Sequence, residues 1–523
     1  MNHKKIVNII NFVRANEPRD KNLNLLETTK QQINLIKSFD LKSTFLMEYD
    51  AMIDEQFSNL IKSECNDNFE IGGWFEIVEP LVKKAGLVWK GRFPWDWNAN
   101  VDFSIGYSNQ EREKLVDTFM EDFKTIFGKY PESVGSWIID AYTLRYMVDK
   151  YNIVASVNCK DQFGTDGYTL WGGYYSQAYY PSKKNVFMPA QNTKEQISIP
   201  IFRMLGSDPI YQYDSGLSYE NGFVKISKNQ PVITLEPVYP EGGGSSKWVK
   251  WYFDETFNNP CLSFCYSQVG QENSFGWESM KKGFTYQIEF ISSMVKQGKI
   301  SVEQLRESGI WFKSHYKLTP SSSLIAMNDW KELGHKSIWY NSRFYRANFY
   351  FDGSYFRIRD IHKFDENYKE RYLTRKCNNK HFVYDTLPVI DGYLWSKKDV
   401  LAGVYLIEQD NLTVSLIRLD KIFVKEQDDT LWINLLTSHG NIVKIHCLQD
   451  KIEITLDICG DGFKIGMELL TGVNSSIKEI NKNSISYNYN FFQYTVNIDV
   501  GYIKIENNRI FFWPENGKLI IKI

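Results

Sequence analysis

Hydrophobic and polar residues alternate in two different ways along the chain, with the change near residue 318. Before it, short apolar runs alternate with longer segments in which apolar residues recur at helical spacing. The runs 5–13 (KIVNIINFV), 43–49 and 69–74 predict strands, and 109–127 predicts a helix. Because strands and helices alternate, we predict a parallel sheet with helical crossovers.

The segment 109–127 has the clearest boundary signals. Ser108 is a suitable N-cap, Gly128 a suitable C-terminal stop, and Pro131 a breaker. Further strands are predicted at 133–140, 153–159, 199–206, 232–239 and 261–268, and further helices at 22–38 and 275–297. Seven or eight β/α units favour a distorted (β/α)7–8 barrel over an open sheet.

Beyond residue 318 the pattern becomes short alternating runs separated by Asn, Asp and Gly turns. This is typical of a β-sandwich. We therefore predict a barrel catalytic domain over 1–318 and a β-sandwich domain over 319–523. The sandwich either binds carbohydrate or only supports the barrel, and support is the simpler interpretation.

Composition excludes some classes of protein. The 523 residues carry a net charge of −2 with no basic block, so no nucleic-acid partner is expected. No apolar run suits a membrane span and residues 1–20 do not resemble a signal peptide, so we expect a cytoplasmic protein. Aromatic residues make up 15% of the chain, which fits either a large core or a carbohydrate-binding cleft. The oligomeric state is not predicted.

The cysteines form no recognisable framework. Their number is odd and their spacing is scattered, at positions 65, 159, 261, 265, 377, 447 and 459. This favours reduced, buried thiols. Cys261 and Cys265 could form a metal-binding pair, but a strand over 261–268 makes two core residues the preferred interpretation.

The segment "EIGGW", residues 70–74, carries a family resemblance. It resembles the Glu-Ile-Gly-x-His core of polysaccharide deacetylases, within the glycoside hydrolase/deacetylase superfamily, whose fold is a distorted (β/α)7 barrel. Trp74 and Val78 stand where that family has its two histidines. The resemblance implies a metal held by one Asp and two His, yet no histidine occurs between His3 and His315. We therefore predict no catalytic metal and no cofactor.

A second resemblance implies a pair of catalytic carboxylates. The segment "GSWIIDAYT" (135–143) is similar to family-38 α-mannosidases, in which a Trp precedes the nucleophilic Asp by three residues, and this implies Asp140 as nucleophile. Glu272 lies about where family-57 glycosidases have their acid, which implies an acid/base role. The alternative for Asp140 is a simple helix cap. Reserve catalytic candidates at other predicted strand ends are Glu236, Asp208 and Asp161.

Other polar and aromatic residues near predicted strand ends are candidates for sugar binding, because Trp stacks on sugar rings and also donates its N–H. These are Glu17, Arg19, Glu48, Asp50, Trp74, Trp95, Trp97, Trp171 and Gln268. Arg14, Arg19 and Arg203 either clamp an anionic group on a substrate or pair with the acids. We predict a metal-independent, retaining glycoside hydrolase with a carbohydrate substrate. The alternatives are a divergent carbohydrate deacetylase and a non-catalytic carbohydrate-binding protein.

Overall fold

The structure is a computed structural model with a mixed α/β first part and an all-β second part. The residues described are 3–165, 167–220, 223–226, 233–410, 413–457, 464–472 and 475–523. None of the helices in these ranges combines the length and the apolar character needed to cross a bilayer.

The first part is organised around a barrel-like sheet. Its strands and the short strands beside it are β1 Lys5–Val13, β2 Ser43–Met47, β3 Phe69–Trp74, β4 Ser133–Gly135, β5 Ala155–Asn158, β6 Gln162–Thr165, β7 Tyr168–Trp171, β8 Ala178–Tyr179, β9 Ile201–Arg203, β10 Leu217–Glu220, β11 Phe223–Ile226, β12 Cys265–Val269 and β13 Ser301–Glu303. The parallel order is β12-β1-β2-β3-β4-β5-β9, with β8 antiparallel on β9 and β13 parallel on β1. Leu205, just after β9, donates its backbone N–H to the Gln268 side chain of β12 at 2.8 Å, so the sheet is nearly closed.

Helices surround this sheet. They are α1 Leu25–Ser38, α2 Tyr49–Ile53, α3 Glu55–Glu64, α4 Glu79–Lys84, α5 Ala99–Asp102, α6 Asn109–Phe127, α7 Ala141–Tyr151, α8 Ser246–Asn258, α9 Trp277–Lys296 and α10 Leu305–His315. The predicted boundaries of α6 are confirmed. Ser108 forms a capping box with Glu111, and Gly128 ends the helix at φ +81°. Strand β1 is buried from Ile6 to Val13, as expected for a parallel strand covered on both faces.

The second part is built from strands that are antiparallel except for β18. They are β14 Ser322–Ala326, β15 Lys336–Asn341, β16 Tyr345–Asp352, β17 Tyr355–Lys363, β18 Phe382–Asp385, β19 Leu387–Asp391, β20 Gly403–Gln409, β21 Val414–Leu416, β22 Leu419–Gln427, β23 Thr430–Thr437, β24 Ile442–Cys447, β25 Lys451–Asp457, β26 Lys464–Leu470, β27 Ile477–Asn481, β28 Ser484–Tyr489, β29 Phe492–Val500, β30 Tyr502–Glu506, β31 Arg509–Trp513 and β32 Lys518–Lys522. One sheet has the order β14-β15-β16-β17-β20-β26-β31-β30, and another has β22-β23-β24-β25-β32-β29-β28-β27. Alternate residues of β23 are buried, and one apolar cluster contains side chains from both sheets.

The two parts are joined by pairing and by buried charge. Strand β18 runs parallel to β7, so residues 382–385 extend a small sheet of the first part. The buried Arg346 of β16 binds Asp161, which follows β5, and Asp360 of β17. Asp161 also binds Arg203 of β9 at 2.8 Å. The predicted boundary at 318 falls between α10 and β14, but the contacts across it are extensive.

One strand prediction is wrong for the residues described. The segment 233–239 has a single bridge, between Thr234 and Ser207, and otherwise consists of turns. The glycines at 242 and 243 explain this, because Gly243 donates its N–H to the Thr234 carbonyl at 2.7 Å and folds the chain back. A Cβ at Gly243 would lie 2.1 Å from the Leu235 oxygen, so only glycine allows the approach.

Candidate functional site

A rim of polar residues forms where the parallel strands end. Arg14 follows β1, Glu48 follows β2, Glu76 lies just beyond β3 and Glu272 lies just beyond β12. Because these strands are neighbours and parallel, their carboxyl ends meet at one mouth of the barrel, which is where such folds place their chemistry.

Arg14 is the centre of this rim. Its Nη2 donates to Glu76 Oε2 and to Glu272 Oε2, at 3.2 Å each. Its Nη1 lies 3.8 Å from Glu17, and its guanidinium stacks 4.1 Å from the ring of Trp95. Arg14 is 3% exposed, so its charge is held by these acids and not by water. We call Arg14, Glu17, Glu48, Glu76 and Glu272 the Arg14 cluster.

The Arg14 cluster is incompletely hydrogen-bonded. Within the described residues, Glu76 Oε1 and Arg14 Nη1 have no hydrogen-bond partner, and Glu48 has none besides the neighbouring Asp50 carboxylate. The indole N–H of Trp74, on the neighbouring strand end, is also unpartnered. Burial, with the nearby Asp50 carboxylate, raises the pKa of Glu48 well above its ordinary value. Each unsatisfied buried group costs roughly 1–3 kcal/mol, so these atoms are suited to receive a polar ligand.

A second acid adjoins the cluster. Glu236 accepts hydrogen bonds from Gln271 Nε2 at 3.2 Å and from Thr234 Oγ1 at 2.9 Å. Burial raises the pKa of Glu236 to about 7, and the neighbouring Glu272 adds to that rise. The charge of Lys160, just after β5, partly opposes this rise in the pKa of Glu236. Burial lowers the pKa of Lys160 itself to about 8. The site therefore contains a carboxyl group that exchanges its proton near neutral pH.

An aromatic loop covers the mouth. Trp95 is 3% exposed and lies between the guanidinium groups of Arg14 and Arg19, at 4.1 and 4.8 Å, while its Nε1 donates to Glu76 at 3.1 Å. Arg19 also lies over Trp97 at 5.6 Å. A groove of about 700 Å³ lies beside this loop and is lined by Glu17, Asp20, Asn22, Asn24, Phe93 and others. Since Glu17 belongs to both, the groove adjoins the Arg14 cluster.

The metal implied by the deacetylase resemblance does not fit these residues. Trp74 packs against Phe12 at 4.2 Å and Trp137 at 5.3 Å, and its nitrogen carries a proton and cannot bind a metal. Val78 is fully buried at the start of α4. A carboxylate-held metal fits no better, because the guanidinium of Arg14 already supplies a cation among the acids.

Asp140 lies in a different set of contacts. It caps α7 by accepting from the Thr143 backbone at 3.0 Å, so the helix-cap interpretation is confirmed. Its two oxygens also accept from Thr143 Oγ1, Ser104 Oγ and Arg112 Nη1, at 2.6, 2.6 and 2.9 Å. The structure does not join it to Glu272 through any shared partner among the described residues. Its role as nucleophile stays a prediction, and its fully used carboxylate gives that role no support.

The remaining predicted residues lie either around the Arg14 cluster or in structural contacts elsewhere. Glu17, Arg19, Glu48, Asp50, Trp74, Trp95 and Trp97 lie in or around the Arg14 cluster. Trp171 instead donates to Asp391 of the second part at 2.7 Å. Gln268 bonds backbone at the barrel seam, and Asp208 accepts from Trp248 and Trp330 at 2.8 and 2.9 Å. The hydrogen bonds of Trp171, Gln268 and Asp208, like the ion pairs of Asp161, join parts of the fold to one another.

Glu76 and Lys160 were not among the predicted site residues. Glu76 lies two positions beyond Trp74, but the deacetylase resemblance concerns only positions 74 and 78, where that family has histidines. The general rule that acids just beyond strand ends face the barrel mouth could have identified Glu76. No sequence signal indicated Lys160.

Comparisons with known proteins agree with this fold. No family model and no curated protein match the sequence. A Parabacteroides distasonis protein provisionally described as a glycoside hydrolase/deacetylase matches at TM-score 0.55 and 14% identity, covering 74% of this chain and 91% of its own. Two more distant matches follow. A Mycobacterium smegmatis protein provisionally described as a polysaccharide deacetylase matches at TM-score 0.36 and 11% identity, covering 61% of this chain and 93% of its own. A 4-α-glucanotransferase from Thermococcus litoralis matches at TM-score 0.28 and 9% identity, covering 100% of this chain and 98% of its own.

The predicted resemblance is therefore confirmed at the level of fold. The chain shares its fold with that Parabacteroides distasonis protein, and no specific family is assigned. At 14% identity the likeness says nothing about the reaction, which has to be argued from the site itself.

Proposed function

We propose that the protein is a glycoside hydrolase that acts on an oligosaccharide with two carboxylates and no catalytic metal. Glu272 is the nucleophile and Glu236 the acid/base. The observation that carries the proposal is the Arg14 cluster, in which buried acids with unpartnered oxygens surround one fixed cation at the barrel mouth. Sugars offer many hydroxyl groups to such acceptors.

Glu272 suits the role of nucleophile. Burial raises the pKa of Glu272, but Arg14 and the Ser274 hydroxyl, which donates at 2.6 Å, oppose that rise. These two partners hold one carboxylate in a fixed orientation with its charge balanced. A nucleophile attacking the anomeric carbon has to be ionised and fixed in this way.

Glu236 suits the role of acid. With a pKa raised to about 7 it keeps its proton below neutral pH and can release it above. Protonation of the leaving oxygen needs such a group, and the same residue then removes a proton from the incoming water. Gln271 links the two acids, because its side chain binds Glu236 and Glu272 is its neighbour in the chain. The proposed mechanism is a retaining one, in which one carboxylate attacks the anomeric carbon and the other acts first as acid and then as base.

This assignment differs from the one predicted from sequence. The nucleophile moves from Asp140 to Glu272, because the Asp140 carboxylate is occupied by a helix cap and by Arg112. The acid moves from Glu272 to Glu236, because Glu236 is free of an arginine partner among its described contacts and has the raised pKa.

The test is hydrolysis of a panel of aryl glycosides by the purified protein, with Glu236→Gln and Glu272→Gln as variants. We expect at least one glycoside to be cleaved, with retention of anomeric configuration followed by NMR. Hydrolysis of acetylated sugars in place of glycosides would support the deacetylase alternative and contradict this proposal.

A non-catalytic carbohydrate-binding protein is the second candidate. It is favoured by one observation: Glu48 and Glu76 are fully buried, whereas Glu17 of the same cluster lines the groove, where a sugar could bind without reaching the deeper acids. Calorimetry would then show oligosaccharide binding that Arg14→Met abolishes, while no glycoside in the panel is cleaved.

A further inference from the structure

Three side chains that can bind a metal meet at the opposite end of the barrel from the Arg14 cluster, and Cys265 lies beside one of them, Cys261. His3 precedes β1, Cys261 precedes β12, and Cys265 begins β12. Glu426 belongs to β22 of the second part. Within the described residues, the ligand atoms of His3, Cys261 and Glu426 all lie within 4.8 Å of one another.

The hydrogen bonds of His3 orient its ring toward Glu426. Its Nδ1 lies 2.9 Å from the carbonyl oxygen of Ser263, and a carbonyl can only accept, so Nδ1 carries a proton. Its Nε2 lies 2.8 Å from Glu426 Oε2, so a proton also joins these two atoms when no metal is bound. A bound metal ion would replace that proton and widen the gap. A histidine that donates Nδ1–H to a carbonyl and offers Nε2 is the usual arrangement of a metal ligand.

The two cysteines complete the set. Cys261 is 3% exposed, and its thiol is in hydrogen-bond contact with the thiol of Cys265. A tight turn holds Cys261 in place: Leu262 adopts φ +66° and the Ser263 N–H donates to the Cys261 carbonyl at 2.9 Å. The Cys261 sulfur therefore faces His3 and Glu426, and its contact with Cys265 makes that thiol the candidate for a fourth ligand.

We propose that His3, Cys261, Cys265 and Glu426 form a structural zinc site that fastens the base of the barrel to the β22 sheet. One nitrogen, two sulfurs and one carboxylate oxygen are ligands that Zn²⁺ accepts in tetrahedral geometry. Ligand atoms of such a site lie ~3.3–3.8 Å apart, given Zn–ligand distances of ~2.0–2.3 Å. The ion is accommodated by a small outward shift of the Glu426 carboxylate.

The surroundings suit this ion. The backbone N–H of Leu262 donates to the other oxygen of Glu426, which fixes the orientation of the carboxylate. Two thiolates and one carboxylate around Zn²⁺ leave one negative charge, and the ammonium group of Lys5 is close enough to act on Cys261 electrostatically. The site lies at the other end of the barrel from the Arg14 cluster, so the ion has no part in the proposed hydrolysis.

The experiment measures metal in the intact protein, with any affinity tag at the C-terminus. We expect about one zinc per chain by plasma mass spectrometry after purification, or after incubation with one equivalent of ZnCl₂. Removal by a chelator is expected to lower Tm by roughly 5 °C or more, and added zinc to restore it. Cys261→Ser and His3→Gln are each expected to lower zinc content at least tenfold.

The matched control is Cys447→Ser, which removes an equally buried thiol from the second part. It is expected to keep its full zinc content. Because the readouts are metal content and Tm, failure here is separate from failure of the proposed hydrolase activity. Two results would overturn the site: a protein that takes up no zinc, and a Cys261–Cys265 disulfide in the purified protein, detected as two missing free thiols.

Discussion

Two buried arginines bind carboxylates at the ends of barrel strands, and their surroundings differ. Arg112 is saturated: its Nε donates to the Tyr107 carbonyl at 2.9 Å, its Nη1 to Asp140 at 2.9 Å and its Nη2 to the Tyr372 carbonyl at 3.1 Å. Asp140 in turn accepts four hydrogen bonds. Every strong polar group in this pair has a protein partner, so nothing is left to bind a ligand.

The Arg14 cluster is the opposite case. One guanidinium nitrogen serves both Glu76 and Glu272, while the other has no hydrogen-bond partner. Glu48 has only the neighbouring Asp50 carboxylate as a partner among the described residues. Burial alone therefore does not separate a site from a structural ion pair. The two arginines differ in how many polar atoms around them are satisfied, and the hydroxyl groups of a sugar could complete those around Arg14.

The largest expected effect is at Glu272. Glu272→Gln keeps the shape but removes the attacking charge, so we expect kcat to fall roughly 10⁴-fold or more. The fold should be retained, because Arg14 still binds Glu76 and Glu17. Turnover of the best aryl glycoside and a far-UV circular dichroism spectrum check both points. A variant with nearly normal turnover would show that this carboxylate is not the nucleophile.

The next effect is at Glu236. Glu236→Gln cannot donate a proton, so we expect a fall in kcat of about 10²–10⁴-fold for substrates with poor leaving groups. In the unchanged protein, kcat should decline as the pH rises through about 7, where Glu236 loses its proton. A pH–rate profile measured on both proteins checks this. An alkaline limb that persists unchanged in the variant would contradict the assignment.

The raised pKa of Glu236 also makes the stability of the protein depend on pH. The folded state holds the Glu236 proton up to about pH 7, whereas an unfolded glutamate releases it near 4.5. The folded state thus binds more protons over that window, and its free energy of unfolding falls as the pH rises. Glu236→Gln should remove this slope.

Features of the fold that depend on contacts between residues close in sequence can be predicted, and those that depend on distant residues cannot. Helix α6 was predicted correctly because Ser108 and Gly128 act within one turn of its ends. Trp171 was assigned to the barrel mouth, whereas its indole binds Asp391, 220 positions later in the chain. Such pairing leaves no local pattern.

The site itself was predictable only in outline. The family resemblances indicate Asp140 and Glu272, and the rule of strand ends adds Glu48 and Glu236, but neither distinguishes Asp140 from the other acids. What separates Asp140 is its partner Arg112, 28 positions earlier in the chain, together with Glu370, which accepts from the Ala141 backbone. Sequence shows which residues are acidic; only the folded contacts show which acids are already occupied.

A smaller effect, and one on stability alone, is expected at Asp140. Asp140→Asn leaves a cap acceptor for α7 but deprives Arg112 of its charged partner, so the free energy of unfolding should fall by about 2–4 kcal/mol. Turnover at 25 °C should stay within about threefold of the parent, since the residue is saturated by structural contacts. Urea denaturation and steady-state kinetics test the two halves. Loss of turnover by orders of magnitude with normal stability would restore Asp140 as nucleophile.

The smallest effect is at Glu48 and has the opposite sign. Burial, with the nearby Asp50 carboxylate, raises the pKa of this carboxyl group, so at neutral pH folding requires Glu48 to take up a proton. Glu48→Gln removes that cost at nearly constant volume and should increase the free energy of unfolding by about 0.5–2 kcal/mol. The same change removes an acceptor for a sugar hydroxyl, so KM should rise while kcat changes less. Stability that falls, as at Asp140, would show that Glu48 is a structural residue and that unsatisfied atoms do not mark the site.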